Sequence, residues 1–306
     1  MKYLFFINPK AGKGLTQKDI VEKIENHFQT VEDEYEIYTT NFKGDAEAVA
    51  RSRAETGEKI TMFACGGEGT CYEVLNGIVG FDNISLGVIP CGSANDFLKF
   101  FGSKECFADI RSQLEGETIC LDLVKAGDRY CLNGCSVGMD AMVANDMSIF
   151  KRWPLVSGSL AYKLAVAKVF FNKLGVSVKL SLDDEPPQDI RCLFAVIANG
   201  PIYGGGYTSA PNAVPFDGKL DFTLVDVVSR FKVLGFLKDY EEGTHEKFPF
   251  CHLRSCRSME FSSDAPIPVN LDGEIVQSNK MRFEVVKSAI KFVLPKGVKS
   301  QILTNV

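Results

Sequence analysis

The sequence predicts an α/β domain followed by a mainly β domain: an N-terminal doubly wound α/β unit, then a C-terminal antiparallel β-sandwich-like unit. Three observations carry this. Apolar strand-like runs alternate with helix-spaced apolar residues through the first third of the chain. Glycine-rich loops follow several of those runs, where a parallel sheet presents ligand loops at the carboxyl ends of its strands. Near residue 120 the helical spacing gives way to a hairpin signal and a series of β-rich runs. The expected boundaries are residues 1–122 for the α/β unit, 123–295 for the β-rich unit, and 296–306 for a segment returning to the first.

Taken in order, Leu4 to Ile7 is a continuous apolar run ended by a Pro-Lys-Ala-Gly-Lys-Gly turn, and Ile20, Val21, Ile24 and Phe28 then recur at helical spacing. Tyr35 to Thr39 reads as a second strand, Asp45 as the cap of a helix carrying Ala46, Val49 and Ala50, and Lys59 to Ala64 as a third strand. A helix over Thr70 to Val79 and a strand over Ser85 to Ile89 follow. Beyond them, Asp122 to Ala126 and Arg129 to Asn133 flank Gly127-Asp128 as a hairpin. Further strands are expected over Ile190–Ala198, Leu220–Val228, Val269–Val276, Met281–Val286 and Ala289–Leu294. One helix interrupts them from Ser159, with Leu160, Leu164, Ala167 and Phe171 in one stripe.

Composition limits the function classes. In 306 residues, 45% hydrophobic and 24% charged, there is enough apolar material for a real core, so general disorder is excluded. Lys+Arg number 34 against Asp+Glu 39, a net charge of −5, which argues against a nucleic-acid partner because phosphate neutralisation needs clustered positive charge. No apolar run reaches the ~18 residues of a membrane span, and the opening Met1 to Pro9 reads as a strand rather than a signal peptide. The expected location is cytoplasmic, extending to peripheral contact at the inner membrane face. Ten cysteines without a C-x-x-C pair fit that compartment, many of them placed as small hydrophobes. Cys251-His252 with Cys256 matches no common zinc spacing and reads as a strand or loop. With His27, His245 and His252 as the only histidines, a Ser-His-Asp enzyme has little support.

The chemistry is expected in three loops: Asn8-Pro9-Lys10-Ala11-Gly12-Lys13-Gly14, Gly66-Gly67-Glu68-Gly69-Thr70, and Pro90-Cys91-Gly92-Ser93-Ala94-Asn95-Asp96. Glycine lets the backbone come close to a ligand, and amides at a helix start point toward an anion. None is a Walker loop, for no Gly-Lys-Ser/Thr closes a G-x-x-x-x-G frame, and none is the dinucleotide fingerprint, for Tyr72 stands where a third glycine would be. Each alone could be a tight turn; three on one sheet edge suggest a phosphate-binding rim.

The stretch Gly66-Gly67-Glu68-Gly69-Thr70-Cys71-Tyr72-Glu73-Val74-Leu75-Asn76-Gly77 resembles the GGDGT-x-x-E-V-x-N-G signature of the diacylglycerol kinase catalytic domain family, in particular its bacterial lipid kinases. The likeness runs along nearly the whole chain. It takes in Asn8-Pro9 with Gly12; Thr40 with Lys43-Gly44-Asp45-Ala46; Pro90-x-Gly92-Ser93-Ala94-Asn95-Asp96-Phe97; and Asn133, Gly138, Asp140 and Ala141. It continues in Gly204-Gly205-Gly206, Pro211 and Asp217-Gly218-Lys219-Leu220-Asp221, and ends in Asp272-Gly273-Glu274.

The resemblance implies ATP bound between a nucleotide-binding domain and a β-rich domain, and transfer of its γ-phosphoryl group to a lipid hydroxyl, most simply that of diacylglycerol. It implies that the amides of Gly66, Gly67, Glu68, Gly69 and Thr70 cradle phosphates, and that Asn8, Pro9, Gly12, Thr40, Gly92, Ser93 and Asn95 line the nucleotide. Glu68, Asp96 and Asp122 would order magnesium through water, and Glu274 would act as general base. Asp217, with the carbonyls of Val214 and Lys219, would hold a structural magnesium; a plain Asp-Gly turn is the competing reading. Glu68 departs from the family aspartate by one methylene, which keeps a catalytically weakened nucleotide- or lipid-binding relative in play. An NAD kinase-like enzyme is the other alternative, less favoured by the Asp217 block and the β-rich second half. Lys151, Arg152, Trp153, Lys163, Lys168 and Lys173, among aromatic residues, suit either a peripheral membrane surface or a helix with solvated lysines. A homodimer is among the expected assemblies.

Overall fold

The computed structural model describes residues 1–11, 17–91, 95–150 and 174–299, with 153, 160, 161, 164, 165, 167 and 168 between the last two stretches. It divides into two compact units. One is Met1–Leu123 together with the chain from Lys287 on, and the other is Val124–Val286. The chain therefore re-enters the first unit at Lys287, earlier than the expected 296, because the strand that carries it back does not break.

In the first unit β1 (Lys2–Ile7), α1 (Gln17–Phe28), β2 (Glu34–Thr39), α2 (Asp45–Ala54), β3 (Ile60–Gly66), α3 (Glu68–Ile78) and β4 (Ile84–Pro90) alternate as expected. A 3₁₀ turn (Asp96–Phe100), two short helices, α4 (Lys104–Ala108) and α5 (Ile110–Leu114), and β5 (Glu117–Ala126) follow. The strands lie parallel in the order β2-β1-β3-β4, and Lys291 and Phe292 of the final strand add to β4. Phe5 stacks on Phe63 with ring centroids 5.1 Å apart, at the centre of an apolar layer closed by Ile20, Ile24 and Phe28 of α1. Register decides where the loops go. Ile7 pairs with both Thr39 and Cys65, and Gly66 with Pro90, so the segments after β1, β2, β3 and β4 leave the sheet at one edge.

The second unit holds β6 (Arg129–Cys131), β7 (Gly134–Gly138), α6 (Met139–Phe150), β8 (Val176–Leu182), β9 (Gln188–Ala198), β10 (Leu220–Asp226), α7 (Arg230–Glu242), β11 (Cys251–Cys256), β12 (Ser258–Leu271) and β13 (Glu274–Leu294). Its strands pair antiparallel along the order β11-β10-β9-β7-β12-β13, as does β8 with both β9 and β12. The side chains of Val233, Phe236 and Tyr240 bury α7 against Phe194, Val196 and Val225 of the sheet. The zinc-like trio dissolves into β11. Cys251 and Cys256 are buried, and His252 meets Asp226 Oδ2 at 2.9 Å.

Several expectations need correction. Val269–Val276 is not one strand: Asp272 and Gly273, at φ 48° and 94°, form a two-residue hairpin turn that pairs Leu271 with Glu274. Met281–Val286 and Ala289–Leu294 are parts of the single strand β13. Asp45 does not cap α2. Gly44 holds that position, and the Asp45 carboxylate instead takes hydrogen bonds from the Asn41 amide and the Tyr38 hydroxyl, which hold it below the usual carboxylate range. Among the described residues of the 160s, Ala161 and Ala165 are buried and Leu164 half-buried, while Leu160 and Ala167 of the predicted stripe are exposed; Phe171 lies outside the described residues. α6 and α7 add helices that the strand pattern did not announce. No helix among the described residues is long and apolar enough to cross a membrane.

Candidate active site

The first unit's rim is built on β3 and α3. Gly66 ends β3, and a Cβ there would meet Thr70 Oγ1 at 2.3 Å and Thr70 Cβ at 2.6 Å, so only glycine lets the strand turn this tightly into the helix. Gly67 caps α3 without a side chain (φ −95°, ψ −169°), leaving the first-turn amides of Glu68, Gly69 and Thr70 at the sheet edge. Thr70, buried in that turn, accepts a hydrogen bond from Asn8 Nδ2 at 3.1 Å, which directs its own hydroxyl hydrogen elsewhere. Asn8 in turn receives the Lys10 amide on its Oδ1 at 2.9 Å, ordering the start of the loop after β1.

The loop after β4 meets the same strand end. The Cys91 amide and Asn95 Nδ2 both donate to Gly66 O, at 2.9 and 3.4 Å. Asn95 sits in the left-handed region at φ 62° and is buried, and its Oδ1 has no hydrogen-bond partner among the described residues. The Asp96 amide donates to Glu68 Oε1 at 3.2 Å, and Lys99 Nζ donates to Asp96 Oδ1 at 2.7 Å. Three hydrogen-bonded pairs, Asn8–Thr70, Asn95–Gly66 and Asp96–Glu68, therefore meet around the junction of β3 and α3. Thr40 and Asp122 belong to the same unit through backbone partners: Thr40 donates its amide to Ile7 O at 2.9 Å, and Asp122, buried, accepts the Ser288 amide at 2.7 Å. Gly12, Gly92 and Ser93 lie outside the described residues, as do Lys151, Arg152, Lys163 and Lys173.

Burial pushes Cys65 well above the ordinary thiol range and Cys91 up to about 11, so both stay protonated near neutrality.

In the second unit Glu274 is the first residue of β13, directly after the hairpin turn. The turn is fixed from behind: the Asp272 carboxylate accepts the amides of Leu132, Asn133 and Gly134, and the Gly273 amide donates to Asn270 Oδ1 at 2.7 Å. Burial raises Asp272 to about 6 against the lowering effect of those amides. Asp140, in the first turn of α6, is likewise pushed up to about 6 by burial, and both of its oxygens lack a hydrogen bond of ordinary geometry.

Val214, Asp217 and Lys219 make a closed turn. The Phe216 and Asp217 amides donate to Val214 O at 2.8 and 3.3 Å, and the Lys219 amide to Asp217 Oδ1 at 2.9 Å. Asp221 next to it is raised to about 6, by burial first and then by the charge of Asp217. Among the described residues no three His, Cys, Asp or Glu side chains gather closely enough to hold a metal directly.

A sequence profile of the diacylglycerol kinase catalytic domain matches residues 2–126, and one of the YegS C-terminal NAD kinase beta sandwich-like domain matches residues 133–294. The chain belongs to the diacylglycerol kinase family, in its YegS-like form. It is therefore a kinase, an enzyme of phosphoryl transfer. Among its relatives, a diacylglycerol kinase of Staphylococcus saprophyticus is 27% identical over 300 residues, covering 96% of this chain and 95% of its own. The crystal structure of a diacylglycerol kinase from Bacillus anthracis matches with a TM-score of 0.69 at 19% identity, over 97% of this chain and 98% of the other. An NAD kinase from Archaeoglobus fulgidus in complex with ATP matches with a TM-score of 0.51 at 14% identity, over 99% and 98%. At those identities the two structures speak for the fold alone.

Lys99 was not singled out from the sequence. Its position three residues after Asp96 was the available signal, since that spacing brings charges together over one helical turn.

Proposed function

We propose that this kinase transfers the γ-phosphoryl group of ATP to the hydroxyl of a lipid, diacylglycerol first among acceptors, giving phosphatidate. The observation that carries the reading is the hydrogen bond from the Asp96 amide to Glu68 Oε1, which ties the segment after β4 to the glycine-capped start of α3. Phosphoryl transfer needs positioning and charge neutralisation more than covalent help. The amides of Gly67 to Thr70 bind phosphate oxygens, and Thr70, oriented by Asn8, adds a hydroxyl donor. The buried Asn95 Oδ1, without a partner among the described residues, is an acceptor suited to a bound group or its water.

Magnesium fits this rim through water rather than as a directly ligated ion, since no three-carboxylate cluster is present among the described residues. When bound it supplies charge neutralisation on the phosphates. Glu68, Asp96 and Asp122 are the residues that would order its waters, with Lys99 balancing the charge of buried Asp96. Glu274 is the candidate base: it takes the proton of the acceptor hydroxyl as that oxygen bonds to the γ-phosphorus and the bond to the bridging oxygen of ADP breaks. The Asp272 clamp on residues 132–134 fixes the turn from which Glu274 projects.

The NAD kinase reading is weaker, as the sequence relatives of the chain carry the names of lipid kinases and diacylglycerol kinases. Incubation with labelled ATP, magnesium and a panel of diacylglycerol, phosphatidylglycerol, sphingoid base, undecaprenol and NAD tests the reading. Label on diacylglycerol is the expected result. Label on NAD, or tight ATP binding without turnover, would overturn it.

A further inference from the structure

Helix α7 carries two apolar stripes on opposite sides. Val233, Phe236 and Tyr240 face inward and are buried. On the other side Phe231, Leu234, Gly235 and Lys238 recur at the i, i+3, i+4, i+7 spacing of one helical face. Phe231 is 85% exposed, more than any other large hydrophobic side chain described, and Leu234 is 56% exposed. A Cβ at Gly235 would meet nothing within 4 Å, so the helix backbone itself is open between them. An outward helix face in water is ordinarily polar, and neighbouring exposed apolar side chains rimmed by charge are a feature of interaction surfaces.

The charges decide the partner. Arg230 and Lys232 flank Phe231 in the first turn, and Lys238 lies one turn beyond Leu234, followed by the acidic residues Asp239, Glu241 and Glu242 at the C-terminal end. Lys238 lies 3.7 Å from Glu242, but both are widely exposed and such a pair is weak. The N-terminal half is thus cationic with a projecting aromatic ring. That pattern suits the headgroup boundary of an anionic bilayer, where the ring enters the acyl edge and the lysines meet lipid phosphates.

We propose that the outward face of α7, through Phe231, Leu234, Lys232 and Lys238, docks this kinase on an anionic membrane surface. The proposal rests on the lipid-kinase reading only for the choice of a bilayer as partner. It places the docking surface on a different segment from the basic stretch over residues 151–173.

The test is ATP-free co-sedimentation with vesicles of phosphatidylcholine alone or mixed with phosphatidylglycerol. The full chain is expected to bind the mixed vesicles, more weakly as salt rises. Phe231→Ser with Leu234→Ser should weaken binding roughly tenfold or more from lost apolar burial. Lys232→Glu with Lys238→Glu should weaken it by at least about fivefold per charge on anionic vesicles only. Circular dichroism and kinase activity on detergent-dispersed acceptor should stay at the starting level in both variants, since neither touches the rim or the Glu274 turn. Unchanged vesicle binding by both variants would overturn the proposal. So would absence of binding by the parent chain, or a parent dimer in sedimentation velocity that Phe231→Ser dissolves, since a second copy would then own the face. Vesicle binding without any acceptor phosphorylation would leave the docking face standing and remove the catalytic reading instead.

Discussion

Gly66→Ala is the most direct probe of the rim. The new methyl would lie 2.3 Å from Thr70 Oγ1, 2.6 Å from its Cβ and 3.1 Å from its Cγ2. Thr70 is short and β-branched and cannot swing clear, so the start of α3 must move. Overpacking of this kind costs about 1–3 kcal/mol, and losing the Asn8–Thr70 hydrogen bond adds about 0.5–1.5 kcal/mol. The expected total is about 1.5–4.5 kcal/mol, read as a fall of several degrees in the melting temperature. A rim displaced by about an ångström should also lower kcat/KM for ATP on the order of 100-fold. The clash has its own control. Thr70→Ala leaves the Cβ at 2.6 Å and should not relieve it, whereas Thr70→Gly should. In the Thr70→Gly background, Gly66→Ala is expected to change stability by less than about 0.5 kcal/mol, a coupling large enough to read from a double-mutant cycle. Additive single effects, or a Gly66→Ala enzyme with parental melting and ATP affinity, would refute the steric reasoning.

Four further outcomes are expected. Lys99→Met strips the buried Asp96 carboxylate of its cation and should cost about 1–3 kcal/mol, less than a fully buried pair because Lys99 is 43% exposed, and should lower kcat; thermal melting and steady-state rates check both. Asp140 has a folded pKa of about 6, above its unfolded value, so the folded state binds its proton more tightly; the stability this gives is present at low pH and is lost as pH rises through about 6. Asp140→Asn should therefore flatten the stability profile between about pH 4 and 7, by up to about 3 kcal/mol, and urea titrations at pH 5 and 8 that stay parallel to the parent would count against it. Glu274→Ala should abolish transfer with ATP affinity nearly intact in a binding titration, and retained transfer would remove Glu274 from the chemistry. Glu68→Asp should keep or raise the turnover rate; a large loss would mean the contact with the Asp96 amide has been tuned to the longer side chain.

The parallel half of the fold was legible because β1, β3 and β4 are nearly continuous apolar runs ended by glycine or proline, a signal set by burial on both faces. The glycine rim was legible for a related reason: close backbone approach leaves few residue choices, and Gly66 shows it in its distance to Thr70. What escaped was geometry that depends on partners far along the chain. The Asp272-Gly273 turn was hidden by apolar residues on both sides, and the clamp that shapes it comes from Leu132 to Gly134. Helix α7 gave no single amphipathic stripe, since apolar residues occupy two of its faces. In the 160s Leu160 and Ala167 of the expected stripe are exposed, and among the described residues there the buried ones, Ala161 and Ala165, are alanines, weak markers in a sequence.

Strand β13 has a consequence for synthesis. The edge of β4 receives Lys291 and Phe292 as its parallel neighbour, yet those residues leave the ribosome only after the entire second unit has been made. At about 5–20 residues per second, the nascent α/β unit spends on the order of 10–40 s with that edge open. An open apolar edge is a template for pairing with another chain, so this interval is when a chaperone would have most to protect. A nascent chain arrested after Val286 should accordingly be cleaved by protease within residues 1–123 far faster than the released protein, and equal resistance would show that the first unit closes without its last strand.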